Sequence, residues 1–527
     1  MANKKLFQWV KEKLVPRADC VNEAGGVAYS LSPELALTQY ALTGCLNQTF
    51  YASAETQLDR VLELCGKVDP SFVAKTAVYA RRHGHMKDMP ALLCAYLSVM
   101  APELLQVVFS DVIDDAKMIR TFVQIMRSGQ VARKSLGSLP KKLILQWLDS
   151  RSDDALFCGA IGSDPSLADV IKMVHPKPKT KARAALYGYL LGKPHDRSAL
   201  SKLVQHYEAF KKNTKLAVPD VPFQLLTALP LEAEHWKQIA KHASWQTTRM
   251  NLNSFKRHGV FEDKKLVRLV ADRLGDRTSI KKARVFPYQL LVAYRMTRGA
   301  LPNEITEALQ DAMEIATENV PVLQGKIAVF PDVSGSMQSA VTGTRQGSTS
   351  AVRCIDVAAL LAACIVRKNR GAIVLPFEND VVPITLNPRD SVMTNAERLA
   401  SIGGGGTSCS APLARLNSRQ VDVDMVVYVS DNQSWMDSRN GGGTQMMIEW
   451  KRLKERNPNA RLVCIDIQPY AHSQAQSAPD VLHIGGFSDH VFDVMESFSS
   501  GELGSERLVR LIDEVPLRCG SLKVNAA

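Results

Sequence analysis

The chain holds ten cysteines in 527 residues and no CxxC pair among them. Single, scattered thiols exclude a disulfide framework and a thiolate zinc site, and they fit reduced cysteines in a cytoplasm. No GxxxxGK[ST] run is present, which excludes a Walker A phosphate loop. No serine sits in a GxSxG elbow, so a serine nucleophile of that type is excluded too. Aromatic residues make up only 6% against 46% hydrophobic ones, the balance of a soluble, helix-rich protein. The opening MANKKLFQWVKEKLV is basic and amphipathic, without the apolar centre of a cleaved signal. The best membrane candidate, ALLCAYLSVMAPELLQVVF at 91–109, is broken by Pro102 and Glu103, so no membrane span or membrane partner is expected.

Charge is present in quantity and is unevenly placed. Residues 1–320 carry 45 Lys and Arg against 32 Asp and Glu, whereas 321–527 carry 20 against 21. Solubility alone asks for no such asymmetry. An excess of cations confined to one region points to a polyanion partner.

Texture divides the chain at the same place. Before residue 320 one helical pattern follows another: LSPELALTQYALTGCLNQ, SFVAKTAVYARRHG, MPALLCAYLSVM, AKMIRTFVQIMRSG, LPKKLILQWLDS, TKARAALYGYLLG, LEAEHWKQIAKHA and PYQLLVAYRMTRG. Ser32 reads as an N-cap with Pro33 at the first helical position. No alternating strand texture is evident here, and Pro140 is expected to interrupt its stretch. Many short helices with brief breaks predict an α-solenoid of helix pairs, roughly seven at about 40–47 residues each. After residue 320, strand-like runs (IAVF, AIVLPF, VVPITL, DMVVYVS, RLVCIDIQ, VLHIGG) alternate with helical ones. That alternation predicts a mainly parallel sheet covered on both faces, with its ligand site beyond the carboxyl ends of the strands. The expected domains are therefore a helical one at 1–320 and an α/β one at 321–527.

FPDVSGSMQ falls at such a strand end. Asp332, Ser334 and Ser336 occupy the turn, Thr407 lies in GGGGTSC, and Asp431 ends VVYVSD. Alone, the motif reads as a strand-to-helix turn with a serine cap. Together, in this order, the five offer oxygen and neither sulfur nor imidazole, a set suited to Mg²⁺ or Mn²⁺.

Three basic clusters stand out in the helical part. RKSLGSLPKK supplies Arg133, Lys134, Lys141 and Lys142; HPKPKTKAR supplies His175, Lys177, Lys179 and Arg183 beside two prolines; TTRMNLNSFKRH supplies Arg249, Asn251, Lys256 and Arg257. Cations for phosphate and amides for base edges are what RNA recognition uses. Any single lysine among them reads as a solvated helix face. Arg249 and Asn251 read equally well as helix-end ligands inside the solenoid.

The oxygen set resembles the metal-ion-dependent adhesion site of von Willebrand factor A domains. In that family the two serines ligate the metal directly, the threonine directly or through water, and the aspartates mostly through water, leaving a position open for an acidic group. An A domain following a basic helical solenoid resembles the Ro autoantigen family with its TROVE module. The resemblance is carried by MKDMPALLCAYL, RKSLGSLPKKLILQWL, MVHPKPKTKARAALYGYL, SWQTTRMNLNSFKRHGV, KKARVFPYQLLVAYRMTRG and FPDVSGSM. It implies HEAT-like repeats closed into a ring with the A domain. It also implies small structured Y-like RNA on the outside, single-stranded 3′ ends of misfolded noncoding RNA in the hole, and a partner 3′ exoribonuclease. The expected protein is a cytoplasmic RNA-binding scaffold, not an enzyme, with no DNA specificity. The competing readings are an adhesion adaptor with acidic partners and, further off, a metal-dependent hydrolase.

Overall fold

Short polar residues set where the helices begin. Ser32 accepts from the Leu35 amide with Pro33 at the first position, and Ser53, Asp69, Asp115, Ser152, Ser166, Thr180, Ser201 and Ser244 cap later helices in the same way. The computed structural model describes residues 15–44, 46–283, 287–297, 299–318, 320–344, 352–436, 443–486, 488, 490–501 and 506–517. From Pro33–Thr43 to Asn303–Ala316 the chain is a series of helices, each packed on near neighbours. Ala116–Ser128 is typical: Met118, Ile119, Phe122, Val123 and Met126 form its buried stripe, and Gly129 ends it in the left-handed region. Among the described residues no helix is long and apolar enough to cross a membrane.

Two expectations for this part are corrected. Pro140 does not interrupt its helix; it is the third residue of Ser138–Asp149, in a first turn whose amides have no intrahelical acceptor. Strands also occur before residue 320. β1 (Cys20–Val21) and β2 (Val27–Ser30) pair antiparallel, and β2 pairs in turn with β7 (His472–Ser473). Two and four residues are too few to display an alternating pattern.

The α/β unit is built on β3 (Ile327–Pro331), β4 (Ile373–Val374), β5 (Met425–Ser430), β6 (Arg461–Asp466) and β8 (Val481–Gly485). They form one parallel sheet in the order β4-β3-β5-β6-β8. VVPITL, expected as a strand, forms none; Val381 makes only an isolated bridge to Phe377. A helix absent from the expectation, Ala411–Ser418, follows the glycine run.

Side chains alternate between two cores. Val329, Val427, Val429, Val463, Ile465 and Ile484 face one, while Ala328, Phe330, Val426, Tyr428, Leu462 and Cys464 face the other. Ala411–Ser418 and Gln445–Arg456 cover the second face. The first face is covered by Cys354–Lys368, Val392–Ala400 and His490–Ser499, and its core runs on without a break into that of the helical series.

Both ends of the helical series touch the α/β unit. At the start, Pro33–Thr43 packs on β8 and Lys75 pairs with Asp513 at 3.3 Å. At the end, Arg295 and Arg353 converge on Asp356, and Arg367 pairs with Glu314 at 3.1 Å. Asp356 is only 2% exposed. Replacing Asp356 with Ala should lower unfolding stability by about 2–3 kcal/mol in urea titrations, less than for a fully buried pair because both arginines stay partly hydrated. An unchanged midpoint would show that this joint adds nothing.

Candidate metal centre and nucleic-acid interface

β3 and β5 are neighbours in register, with Pro331 opposite Val429, so their carboxyl ends deliver Asp332 and Asp431 to one place. Asp332 is 0% exposed and Asp431 2%. The Ser334 amide donates to Asp332 Oδ1 at 2.9 Å, and the Ser430 hydroxyl donates to Oδ2 at 2.6 Å. The Ser334 and Ser336 hydroxyls lie 3.3 Å apart, and Ser336 bonds Asp431. Thr407 arrives on the glycine run. The Gly335 amide donates to the Gly405 carbonyl at 2.8 Å, and the Gly404 amide donates to the Val333 carbonyl at 2.9 Å. Gly403 stands at φ +85°, where a Cβ would fall 2.1 Å from the Val333 carbonyl oxygen, so no other residue fits. The Thr407 carbonyl then accepts from the Trp435 and Met436 amides at 3.3 and 3.2 Å, just beyond Asp431. The structure thus gathers all five expected oxygen donors at the carboxyl edge of the sheet, each of them buried.

Burial raises both carboxyls. Asp332 is pushed up by loss of water, and Asp431 is pushed up to about 7 by burial and then by the charge of Asp332. Two buried carboxylates this close oppose each other's ionisation, and a divalent ion between them would remove that opposition. Oxygen donors only, two of them acidic, fit a hard cation such as Mg²⁺ or Mn²⁺. Among the described residues no group of three or more His, Cys, Asp or Glu side chains is placed to hold a metal. The fit therefore rests on the hydroxyls as much as on the two acids.

Sequence reasoning misses three neighbours. Ser430 holds Asp332 from the adjacent strand. Asp466, the last residue of β6, is fully buried, raised well above the ordinary carboxyl range by burial and the charge of Asp431, and bonded by the Asn432 amide group. It carries the same strand-end signature as Asp431, a signal sufficient to find it. Tyr51 comes from the helical part; its phenol is pushed up to about 12, by burial first and the charge of Asp431 next. Nothing in the FY dipeptide signals that position.

The basic clusters separate into ties and free cations. Lys134, Lys141 and Lys142 are exposed and Arg133 is half-buried, Arg133 and Lys134 preceding Ser138–Asp149 and the other two within its first turns. His175 ends Leu167–Val174 in the left-handed region, and the exposed non-helical stretch 175–180 carries Lys177 and Lys179 to the start of Lys181–Leu190. Lys179 pairs with Asp149 at 2.7 Å while remaining 76% exposed. Arg183 lies inward: it bonds Asp153 and the Leu148 and Arg151 carbonyls, fastening three helices. The third cluster lies elsewhere in the series, on Lys264–Gly275 and Pro287–Thr297. Arg249 donates to the Gln289 carbonyl at 3.0 Å, and burial pulls its guanidinium down to about 10. The Asn251 amide donates to the Thr247 carbonyl at 2.8 Å. Lys256 and Arg257 face solvent.

Comparison with known proteins places both parts of the chain. Residues 326–499 match the Ro60 vWA domain and residues 163–319 match the TROVE domain. A Deinococcus radiodurans protein described as RNA-binding protein RO60 is 26% identical over 515 residues, covering 92% of this chain and 95% of that protein. A Caenorhabditis elegans protein of the same description is 23% identical over 254 residues, covering 46% of this chain and 38% of that protein. The crystal structure of the Deinococcus radiodurans RO (RSR) protein superposes with a TM-score of 0.62 at 22% identity, over 89% of this chain and all of that one.

The raised Asp431 carboxyl has a consequence with a definite sign. Between the ordinary value of 3.8 and about 7, the folded state holds a proton that the unfolded state has released. Stability in chelator should therefore fall as pH rises above about 4, with the raised Asp332 and Asp466 carboxyls adding to the fall. Asp431→Asn should flatten that fall. Parallel thermal-melting profiles of the two proteins across this range would contradict it.

Proposed function

We propose that this chain, a member of the Ro family by its pairing of a TROVE domain with a Ro60 vWA domain, is an RNA-binding scaffold with no chemistry of its own. The observation that carries the reading is the exposed, non-helical stretch 175–180 with His175, Lys177 and Lys179, together with the exposed Lys141 and Lys142 on Ser138–Asp149, the helix whose last residue pairs with Lys179. Solvent-exposed cations are what a folded RNA's phosphates require. Two relatives described as RNA-binding proteins support it. In the finer form of the proposal, a Y-like RNA occupies this outer face, and single-stranded 3′ ends of noncoding RNA enter a hole enclosed by the helices and the α/β unit. A 3′ exoribonuclease would consume what the scaffold presents. Contact of the α/β unit with both ends of the helical series supports a closed arrangement.

The α/β unit would bind a divalent cation through Asp332, Ser334, Ser336, Thr407 and Asp431. The ion would supply an electrophilic position for an anionic group, and the chain's own residues would hold it, in part through water. A second reading, an adaptor for an acidic protein partner, is favoured by the exposed Trp435 and Met436 beside Thr407.

Two experiments bear on the reading. Replacing Lys177 and Lys179 with Ala should weaken RNA binding and lower the slope of log K against log salt by roughly 0.7–0.9 for each phosphate no longer neutralised. Arg183→Ala, by contrast, should lower the melting temperature before it alters that slope. An unchanged slope in the double lysine variant would remove the stretch from the interface. For the metal, Asp332→Ala should abolish Mn²⁺ binding in calorimetry while RNA affinity persists. Equal Mn²⁺ affinity in the two proteins would return the opening turn to a plain strand-to-helix connection.

A further inference from the structure

One cation of the helical series has no internal occupation. Arg120 lies outside the buried stripe of Ala116–Ser128, and among the described residues its guanidinium makes no hydrogen bond or ion pair. Its Nε is nevertheless buried, and burial pulls the guanidinium below its ordinary value against the opposing charge of Asp115. A charged group taken out of water without a partner is costly, so it calls for an acceptor from outside the chain. The guanidinium stands on the wall of a cavity of about 710 Å³, shared by Leu58, Leu92, Lys117, Thr121 and Gln124. These come from Ala54–Lys67, Asp88–Met100 and Ala116–Ser128, alternate helices of the series; the helices between them, Pro70–Arg82 and Pro102–Val112, line none of it. Alternate helices of a solenoid make one continuous surface, of the kind such proteins use for extended ligands. The exposed loop 162–164 brings Gly162, at φ +104°, over the guanidinium, where a Cβ would run into Nη1. Asn47 also lines the cavity, and its side-chain amide donates to the Thr342 carbonyl at 2.9 Å, so the cavity adjoins the joint with the α/β unit. Of the two acids on the wall, Asp88 stands 3.9 Å from Lys117 and Asp164 is exposed.

We propose that this cavity seats one nucleotide of a single-stranded RNA, with its phosphate on Arg120 and its base among Leu58, Leu92 and Gln124. The inference deepens the 3′-end reading given above and rests on it. An arginine fork holds a phosphate through two parallel N–H···O bonds, which would satisfy the unmet guanidinium. Lys117 adds a second charge; its side chain is 55% exposed and held only at 3.9 Å by Asp88. Unpaired bases are recognised by contact with their faces and by hydrogen bonds to their edges. The two leucines offer the first and the Gln124 amide the second. The volume falls within the roughly 300–1,000 Å³ of sites that enclose a small molecule. A single protein carboxylate would satisfy the fork but leave most of the cavity empty, whereas a nucleotide fills it.

The test uses the full chain and two probes, a short fluorescent oligouridylate and a stem-loop RNA without single-stranded ends. Arg120→Gln should weaken oligouridylate binding about tenfold and lower the slope of log K against log salt by roughly 0.7, while stem-loop affinity stays as in wild type. Its melting temperature should not fall, because the charge removed has no partner in the free protein. Arg120→Lys, which keeps the charge without the fork, should recover only part of the affinity. Uridine monophosphate should displace the oligouridylate at lower concentration than inorganic phosphate or an oligoglutamate does. A lowered melting temperature in Arg120→Gln would make the residue a structural tie and overturn the inference. Equal displacement by inorganic phosphate would leave a bare anion site, and preferential displacement by oligoglutamate a site for an acidic protein; either overturns it. Wild-type affinity for oligouridylate in Arg120→Gln also overturns it, yet leaves the 3′-end reading standing. If wild type binds the stem-loop but not the oligouridylate, the inference and the 3′-end reading fall together and the outer RNA face stands.

Discussion

The arrangement depends on one parallel sheet having two apolar faces of which only one is its own. Ala411–Ser418 and Gln445–Arg456 close the second face within the unit. The first is closed by helices whose other sides lie in the core of the helical series. Removing that series would uncover apolar surface, at a cost of about 25 cal/mol per Å². The two units are therefore not beads on a linker. The carboxyl edge of the sheet, where the acids gather, is held still by a core that runs through most of the molecule.

Within this continuous core the cations have two occupations. Arg183, Arg249 and Arg295 reach backbone carbonyls or buried acids and join helices to each other or to the α/β unit. Arginine suits this work because its flat fork serves several acceptors at once. The lysines near residues 141 and 177 point outward and serve no such internal purpose, Lys179 apart. A positive excess in the sequence mixes both kinds, and only position in the fold separates them.

Much of the fold was legible because it rests on local rules. Ser32 with Pro33, the stripe of Ala116–Ser128 and the fully buried runs of β3 and β5 announce themselves by spacing alone. The meeting of Asp332 and Asp431 was legible because β3 and β5 end side by side, whereas Thr407 comes in on the glycine run between two helices. What stayed hidden is tertiary. VVPITL has strand composition but no partner strand beyond a single bridge. Val27–Ser30 pairs with the two-residue Cys20–Val21 and with a strand of the other unit, neither of which its own residues reveal. Arg183 and Asn251 sit in basic runs that look alike from end to end, and nothing in those runs marks which members turn inward. Tyr51 is brought near the acids by a segment whose Asn47 and Gln48 bond residues 342 and 344, contacts that no motif encodes.

The pairing of Val27–Ser30 with the strand at His472–Ser473 sets an order on synthesis. Its flanking contact, Gln474 to the Val27 carbonyl, joins residues 447 positions apart. At about 5–20 residues per second, the first strand leaves the ribosome roughly 20 to 90 seconds before its partner exists. For that interval it is an unpaired edge, open to any other strand that passes. A chain that stalls before His472–Ser473 is made keeps that edge exposed however well its helices have folded.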